Sequence, residues 1–296
     1  MNIVSSEARF VSITVAENLM VAITITGKLQ FYDLRKEATS SVQREDDDLK
    51  EVLLMQSNEL IIQKLTKEVL GKYHQFPQRY RLFVWSKILK LPLNEESFNV
   101  IYKLKESNEE FVNAVDGLVN SRFTTLELHD THKVKKLLLC LLQWNRLIRK
   151  KLKYLPHFVV SLVRAFPDKK MMHFEVIATL LLNEFFDPNY NEINDALKKH
   201  CPKLLNFLVI RNTNPNSLTL SLIESGFCKD WLILWDNIIA HGPVFVECVV
   251  VAFFSLCEDV IMNASTEETI KTFFESQNYV PIKEVVTKAY HVYTSE

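Results

Sequence analysis

Glycine is the scarcest informative residue in this 296-residue chain. There are five, Gly27, Gly71, Gly117, Gly226 and Gly242, and no two lie close together. A loop that cradles phosphate needs clustered glycines so that backbone N–H groups can close on the anion. Neither a dinucleotide fingerprint nor a Walker A loop can be written here, which excludes the common nucleotide-binding enzymes. Cysteine is also sparse. Cys140, Cys201, Cys228, Cys248 and Cys257 are scattered and odd in number, with no Cys-x-x-Cys, so they read as reduced, buried cysteines of a cytoplasmic protein. An excess of charge is lacking too. With 35 basic and 36 acidic residues, nothing calls for nucleic acid or an anionic bilayer. The N-terminus has no basic segment followed by an apolar core and does not read as a secretory signal. Apolar runs such as Phe158–Val163 and Val249–Phe254 are far short of the roughly 20 residues that span a membrane.

What is present is mostly helical pattern. Hydrophobic residues make up 48% and charged residues 24%, the balance of a globular core with a solvated surface. From residue 51 onward the apolar spacing is that of helices, with prolines and Gly71 as punctuation. Leu60, Ile61, Leu65 and Val69 lie on one face, with Gly71 as a stop. Pro77 is placed in the first turn of a helix that runs past Trp85 to Leu91 and halts at Pro92. Further helices are expected over Val134–Ile148, from Pro156 toward Phe166, and over Met171–Phe186, Ile193–Ile210, Ser217–Ile223, Lys229–Ala240, Phe245–Asn263 and Ile282–Tyr293. About ten helices are expected, an all-α domain over 51–296. Ahead of it, 35–50 is a polar linker with an acidic run, Glu45–Asp48, read as solvated charge and not a metal site. Residues 1–34 differ. Val11–Val15, Leu19–Ile25 and, after a turn at Gly27, Leu29–Leu34 have the β-branched, period-two character of short strands.

One stretch stands out, Pro-x-x-x-Arg-x-x-x-Trp at Pro77, Arg81 and Trp85, followed by Ile88-Leu89. Residues four apart share a helix face, so Arg81, Trp85 and Leu89 form a stripe. A tryptophan there belongs to the core and its indole N–H needs an acceptor. An arginine on the same face must be paired, because an unpaired buried charge is costly. The spacing therefore predicts that a carboxylate from a neighbouring helix meets Arg81.

This stretch is similar to the first motif of the TBC domain, the helical domain that activates Rab GTPases. Leu234-Trp235-Asp236-Asn237-Ile238-Ile239 resembles the Leu-Trp-Asp signature of the same family. His173-Phe174-Glu175-Val176-Ile177-Ala178-Thr179-Leu180-Leu181 resembles one branch of it, in which a WD-repeat propeller precedes the TBC domain and which is associated with centriolar satellites and cilium formation. Tyr154-Leu155-Pro156, the Phe166 segment and Ile282-Lys283-Glu284-Val285-Val286 fit that branch. The ending Gly27–Leu34 looks like the last strand of a WD repeat. One blade does not close a propeller, so residues 1–34 read as a hairpin or as part of a longer protein. The resemblance implies an all-α TBC-type fold. It also implies protein partners, either a Rab GTPase or centrosomal and ciliary proteins, and a place at the centrosome, centriolar satellite or cilium base.

The resemblance also implies two catalytic fingers, an arginine from Ile-x-x-Asp-x-x-Arg and a glutamine from Tyr-x-Gln-Gly. Arginine stabilises charge developing on the transferred phosphoryl group, and glutamine orients the attacking water. In this chain Asp116 fits the first motif but Val119 holds the arginine position. Arg122-Phe123-Thr124 follows three residues later, out of register. Tyr154-Leu155-Pro156-His157 puts proline where glutamine should be, and proline cannot position water. His157 is one residue off, and Gln143 is too early. The chain is therefore expected to be a scaffold and not an enzyme, the alternative being a Rab GTPase-activating protein with atypical residues. No catalytic, cofactor-binding or metal-ligating residue is assigned. His129, Asp130 and His132 lack further ligands. Ser161, Ser221 and Ser255 lack the glycines of a nucleophile elbow. The basic group Arg146, Arg149, Lys150, Lys151 and Lys153 reads as charge compensation at a helix end.

Overall fold

The computed structural model describes residues 10–16, 19–24, 29–33, 59–78, 80–104, 108–123, 126–225, 231–276 and 280–295. The linker with Glu45–Asp48, together with Gly27, Thr124, Gly226 and Cys228, lies outside them. The chain divides into two compact units, Met1–Pro77 and Gln78–Glu296.

Among its described residues the first unit holds three strands and one helix. Strands β1 (Phe10–Ala16), β2 (Leu19–Thr24) and β3 (Leu29–Asp33) form an antiparallel sheet in the order β1-β2-β3. Val15 pairs with Met20 and Val21 with Phe31, and the register shifts between Phe10 and Ser12. The strands fall where the alternating pattern puts them. Helix α1 (Glu59–Tyr73) follows. Gly71 does not stop it but lies inside it, and the helix ends two residues later.

The second unit is helical throughout its described residues. It comprises α2 (Arg81–Ile88), α3 (Glu95–Lys103), α4 (Glu109–Arg122) and α5 (Leu128–Trp144). A 3-10 segment (Arg146–Tyr154) leads into α6 (Pro156–Ala165) and α7 (Lys170–Leu182). Then come α8 (Tyr190–His200), α9 (Pro202–Ile210), α10 (Pro215–Glu224) and α11 (Trp231–His241). The unit ends with α12 (Val244–Leu256), α13 (Glu258–Asn263), α14 (Glu267–Ser276) and α15 (Ile282–Thr294).

Fifteen α-helices thus lie among the described residues, where about ten are expected from the sequence. The difference has local causes. The pattern over 193–210 breaks at Cys201, because Pro202 opens a new helix with no N–H to continue the old one. The run over 245–263 breaks at Cys257. Helix α5 stops at Trp144, and Asn145, extended at φ −147°, caps the 3-10 segment by accepting from the Leu147 N–H at 3.0 Å. Helices α3, α4 and α14 are amphipathic. Asn94 and Asn108 cap the first two, each followed by a pair of glutamates that suit a helix N-terminus. Pro77 is not in the first turn of α2, which begins at Arg81. Nor does α2 reach Leu91; it ends at Ile88, where Lys90 turns left-handed at φ 52° and the Leu91 N–H returns to the Ser86 carbonyl.

Helices α5 and α12 organise the core. α5 packs on α3, α4, α6 and α7 and buries Val134, Leu137, Leu138, Cys140, Leu141 and Leu142. α12 is apolar nearly all round, as a helix enclosed by others must be. It packs on α8, α11 and α15 and buries every residue from Val249 to Phe254. A carboxylate in this interior has a defined task. Glu175 of α7 is 5% exposed and accepts the backbone N–H groups of Leu93 and Asn94, both at 2.8 Å, fixing the turn between α2 and α3. Cys140, Cys201, Cys248 and Cys257 are buried and not in disulfides.

Candidate functional site

The stripe on α2 ends on a single carboxylate. The Arg81 Nε–H donates to both oxygens of Asp236 at 3.0 and 2.9 Å, and the Trp85 Nε1–H donates to Asp236 Oδ1 at 2.7 Å. Arg81 also reaches Gln78. Trp85, Asp236 and Asn237 are all 0% exposed and Arg81 is 3% exposed. The Trp85 ring meets Phe166 and Trp231 edge-on, each at 6.0 Å between centroids. The expected carboxylate is therefore Asp236 on α11, and the two segments singled out in the sequence are the two sides of one contact. Neighbouring Asn237 accepts from the Tyr290 hydroxyl at 2.8 Å. This ties α11 to α15, which carries the Ile282–Val286 segment.

The segments expected to carry catalytic fingers also converge. Val119 is 1% exposed, a core residue of α4. Asp116 on the same helix pairs with Lys135 at 2.8 Å. Arg122, the last residue of α4, is neither a free surface arginine nor an open finger. Its Nη2–H donates to Glu224 Oε2 at 3.1 Å and its Nη1–H to the Glu224 carbonyl at 3.3 Å. Lys153 stands 3.4 Å from the other oxygen of that carboxylate. Phe123 meets the His157 ring edge-on at 4.8 Å. Pro156 is buried at the first position of α6, where its missing N–H costs nothing. Arg122 and Lys153 thus meet on Glu224, and Phe123 meets His157, with Tyr154 under the Lys153 ammonium at 4.8 Å. Gln143 is half-buried on α5.

Glu224 was not singled out from the sequence, although a signal was there. It is the last residue of α10, and a carboxylate at a helix C-terminus opposes the macrodipole unless cations reach it. Arg122 and Lys153 supply them.

The other candidates are placed as follows. Asp130 accepts from Arg164 Nε at 3.4 Å, and among the described residues no three His, Cys, Asp or Glu side chains gather as a metal site. The Ser221 hydroxyl donates to the Ser217 carbonyl. The basic group at 146–153 is not charge compensation at the end of α5. It forms its own 3-10 segment, with Arg149 on Glu110, Lys151 on Asp187 and Lys153 on Glu224. No helix among the described residues is long and apolar enough to cross a membrane.

Two histidines are held neutral. Burial pushes His157 down to about 4, helped by the charge of Arg122. Burial also pushes His173 down to about 4, against the pull of the Phe166 carbonyl that its Nε2–H meets at 2.8 Å. Both folded values lie below the ordinary 6.5, so the unfolded chain takes up protons first as pH falls. Stability from these groups is complete above 6.5 and is lost progressively as pH falls from 6.5 toward 4. Urea midpoints measured between pH 7.5 and 5 should decline accordingly, and His173→Gln should flatten the slope. A slope unchanged by that substitution would contradict the burial argument.

No family model matches the chain. Its sequence is similar to TBC1 domain family member 31 of Bos taurus, 26% identical over 287 residues. That match covers 90% of this chain and 25% of the relative. The protein of the same name from Mus musculus is 26% identical over 281 residues, covering 88% and 26%, and that from Homo sapiens 25% over 280 residues, covering 90% and 25%. The chain spans about a quarter of the length of the curated relatives it matches. Its fold is similar to the crystal structure of the TBC domain of a Chlamydomonas flagellar RabGAP, with a TM-score of 0.63 at 13% identity over 79% of this chain and 85% of that one. The paired motifs on Asp236, the shared fold and these relatives converge on one likeness: the helical unit has the fold of a TBC domain, and the chain is similar in sequence to TBC-domain proteins.

Proposed function

We propose that the helical unit is a TBC domain that binds protein partners without accelerating GTP hydrolysis, and that it works as an interaction scaffold. The observation that carries this reading is the state of the finger segments. The arginine position is Val119 inside the core, and the glutamine position is Pro156 inside a helix start. The guanidinium nearest the Tyr154–His157 segment, that of Arg122, is held by both the side chain and the backbone of Glu224. A finger must be placed to within about an ångström of its reacting atoms, and an arginine already committed to a carboxylate has to break that contact first.

A Rab GTPase is the partner class that the family relationship suggests, and centrosomal or ciliary proteins are the alternative. The place of action in this reading is the centriolar satellite, centrosome or cilium base, with residues 1–34 as part of a WD-repeat blade. Support comes from the resemblance at His173–Leu181 and from the flagellar setting of the structural neighbour. The competing reading, a Rab GTPase-activating protein with atypical residues, draws on Arg122 lying beside His157. A panel of GTP-loaded Rab proteins, with binding and hydrolysis measured in parallel, separates the two. Binding with an unchanged hydrolysis rate is expected. Acceleration of any Rab by about 10³-fold or more, the range an arginine finger supplies, would overturn the scaffold reading.

A further inference from the structure

The densest basic run in the sequence is closely answered by carboxylates, and a group of lysines scattered in the sequence is less so. The run at 146–153 is answered by Glu110, Asp187 and Glu224. A second group of lysines, dispersed in sequence at Lys103, Lys133, Lys136, Lys169 and Lys170, comes together only in the fold, where the end of α3 and the start of α7 meet the first half of α5.

Tyr102 stands at the centre. The ammonium groups of Lys136 and Lys170 each lie 5.3 Å from its ring centroid. Lys133 lines a small crevice together with Tyr102, Asp168 and Lys170. The only carboxylate paired with any of the five among the described residues is that of Asp168, 3.6 Å from Lys133 and 83% exposed. Lys136 donates to the Leu104 carbonyl instead of a carboxylate. Lysines gathered from three helices repel one another, and the aromatic ring offsets only part of that cost. Lys103, Lys169 and Lys170 are exposed, and Lys133 and Lys136 are half-buried.

We propose that this surface binds an acidic polypeptide segment. Two features select that partner. The ring and the Leu104 carbonyl hold the ammonium groups at defined positions, which suits carboxylates at defined spacings. Val100 and Leu104, 64% and 51% exposed, stand on the same helix and its end, so the segment has apolar residues between its acids. A bilayer is the weaker fit. Its interface favours exposed tryptophan or tyrosine anchors, but no tryptophan is exposed among the described residues, and Tyr102 is half-buried with two ammonium groups against its ring. The net charge of −1 also gives the chain no general attraction to anionic lipid. The proposal does not depend on whether the domain accelerates GTP hydrolysis.

The test is fluorescence anisotropy of a labelled peptide of repeating Glu-Glu-Leu titrated with the full chain. Saturable binding that weakens with added salt is expected. The pair Lys136→Gln and Lys170→Gln should weaken it about tenfold, the product of two surface charge contacts. Arg149→Gln with Lys151→Gln should change it less than about twofold, because those cations are already paired. Thermal melts of both variants check that each remains folded. Absence of saturable binding overturns the proposal, as does equal weakening by the two pairs. Lysine-dependent sedimentation with phosphatidylserine vesicles, without peptide binding, would assign the surface to lipid and overturn it as well.

Discussion

Replacing Asp236 by alanine should destabilise the helical unit by about 3–5 kcal/mol, the usual cost of removing one partner from a buried ion pair. The side chain is fully enclosed and serves two donors at once. Without it, the buried Arg81 guanidinium loses its ion pair with Asp236, and the Trp85 indole N–H loses its acceptor. Asp236→Asn should cost less, since an oxygen remains for one donor. The double variant Arg81→Ala with Asp236→Ala should cost clearly less than the sum of the two single changes, because each single change strands a charge that the double change removes. Urea denaturation measures all four proteins, with a shifted midpoint and unchanged slope as the signature. A loss below about 1 kcal/mol for Asp236→Ala would show that the contact is not the centre of this core.

Trp85→Ala should cost a similar amount, about 3–5 kcal/mol, for a different reason. Here the loss is volume. The ring is fully buried and meets Phe166 and Trp231 edge-on, so its removal forfeits both contacts and leaves a space that a close-packed interior closes only in part. Trp85→Phe separates the two contributions. It keeps an aromatic ring in place but removes the N–H donor to Asp236, and should cost only about 1–2 kcal/mol. If Trp85→Phe proves as damaging as Trp85→Ala, the hydrogen bond and not the packing dominates at this position.

These two substitutions also mark how far the sequence could be read. The stripe on α2 was legible because it rests on helix periodicity and on the cost of burying charge, both local properties. That Arg81 needs a carboxylate follows from one segment. That the carboxylate is Asp236, 155 residues away, does not. It follows only once α2 packs on α11. The helices with strong apolar faces were placed near their true bounds. Those missed, α3, α4 and α14, carry few buried residues and depend on caps and end charges. The breaks at Asn145 and Cys201 were hidden by apolar runs on both sides.

At the candidate site the same division holds. Val119 and Pro156 were identifiable as the wrong residue types for their positions. Glu224 was not, because its role comes from two cations on other elements. The basic run at 146–153 misled for the same reason, since its compensating carboxylates lie at 110, 187 and 224. The lysines around Tyr102 went unnoticed because they are dispersed over nearly seventy positions before the fold collects them.

The central claim is that this TBC-like helical unit binds without catalysing, and single-turnover GTP hydrolysis by a bound Rab tests it most directly. The rate is measured alone, with the chain, and with Arg122→Ala, the variant that removes the only guanidinium on the finger-bearing turn of α4. The account predicts the same intrinsic rate in all three. An acceleration by the wild-type chain that Arg122→Ala abolishes would make Arg122 a working finger released from Glu224, and would contradict the account.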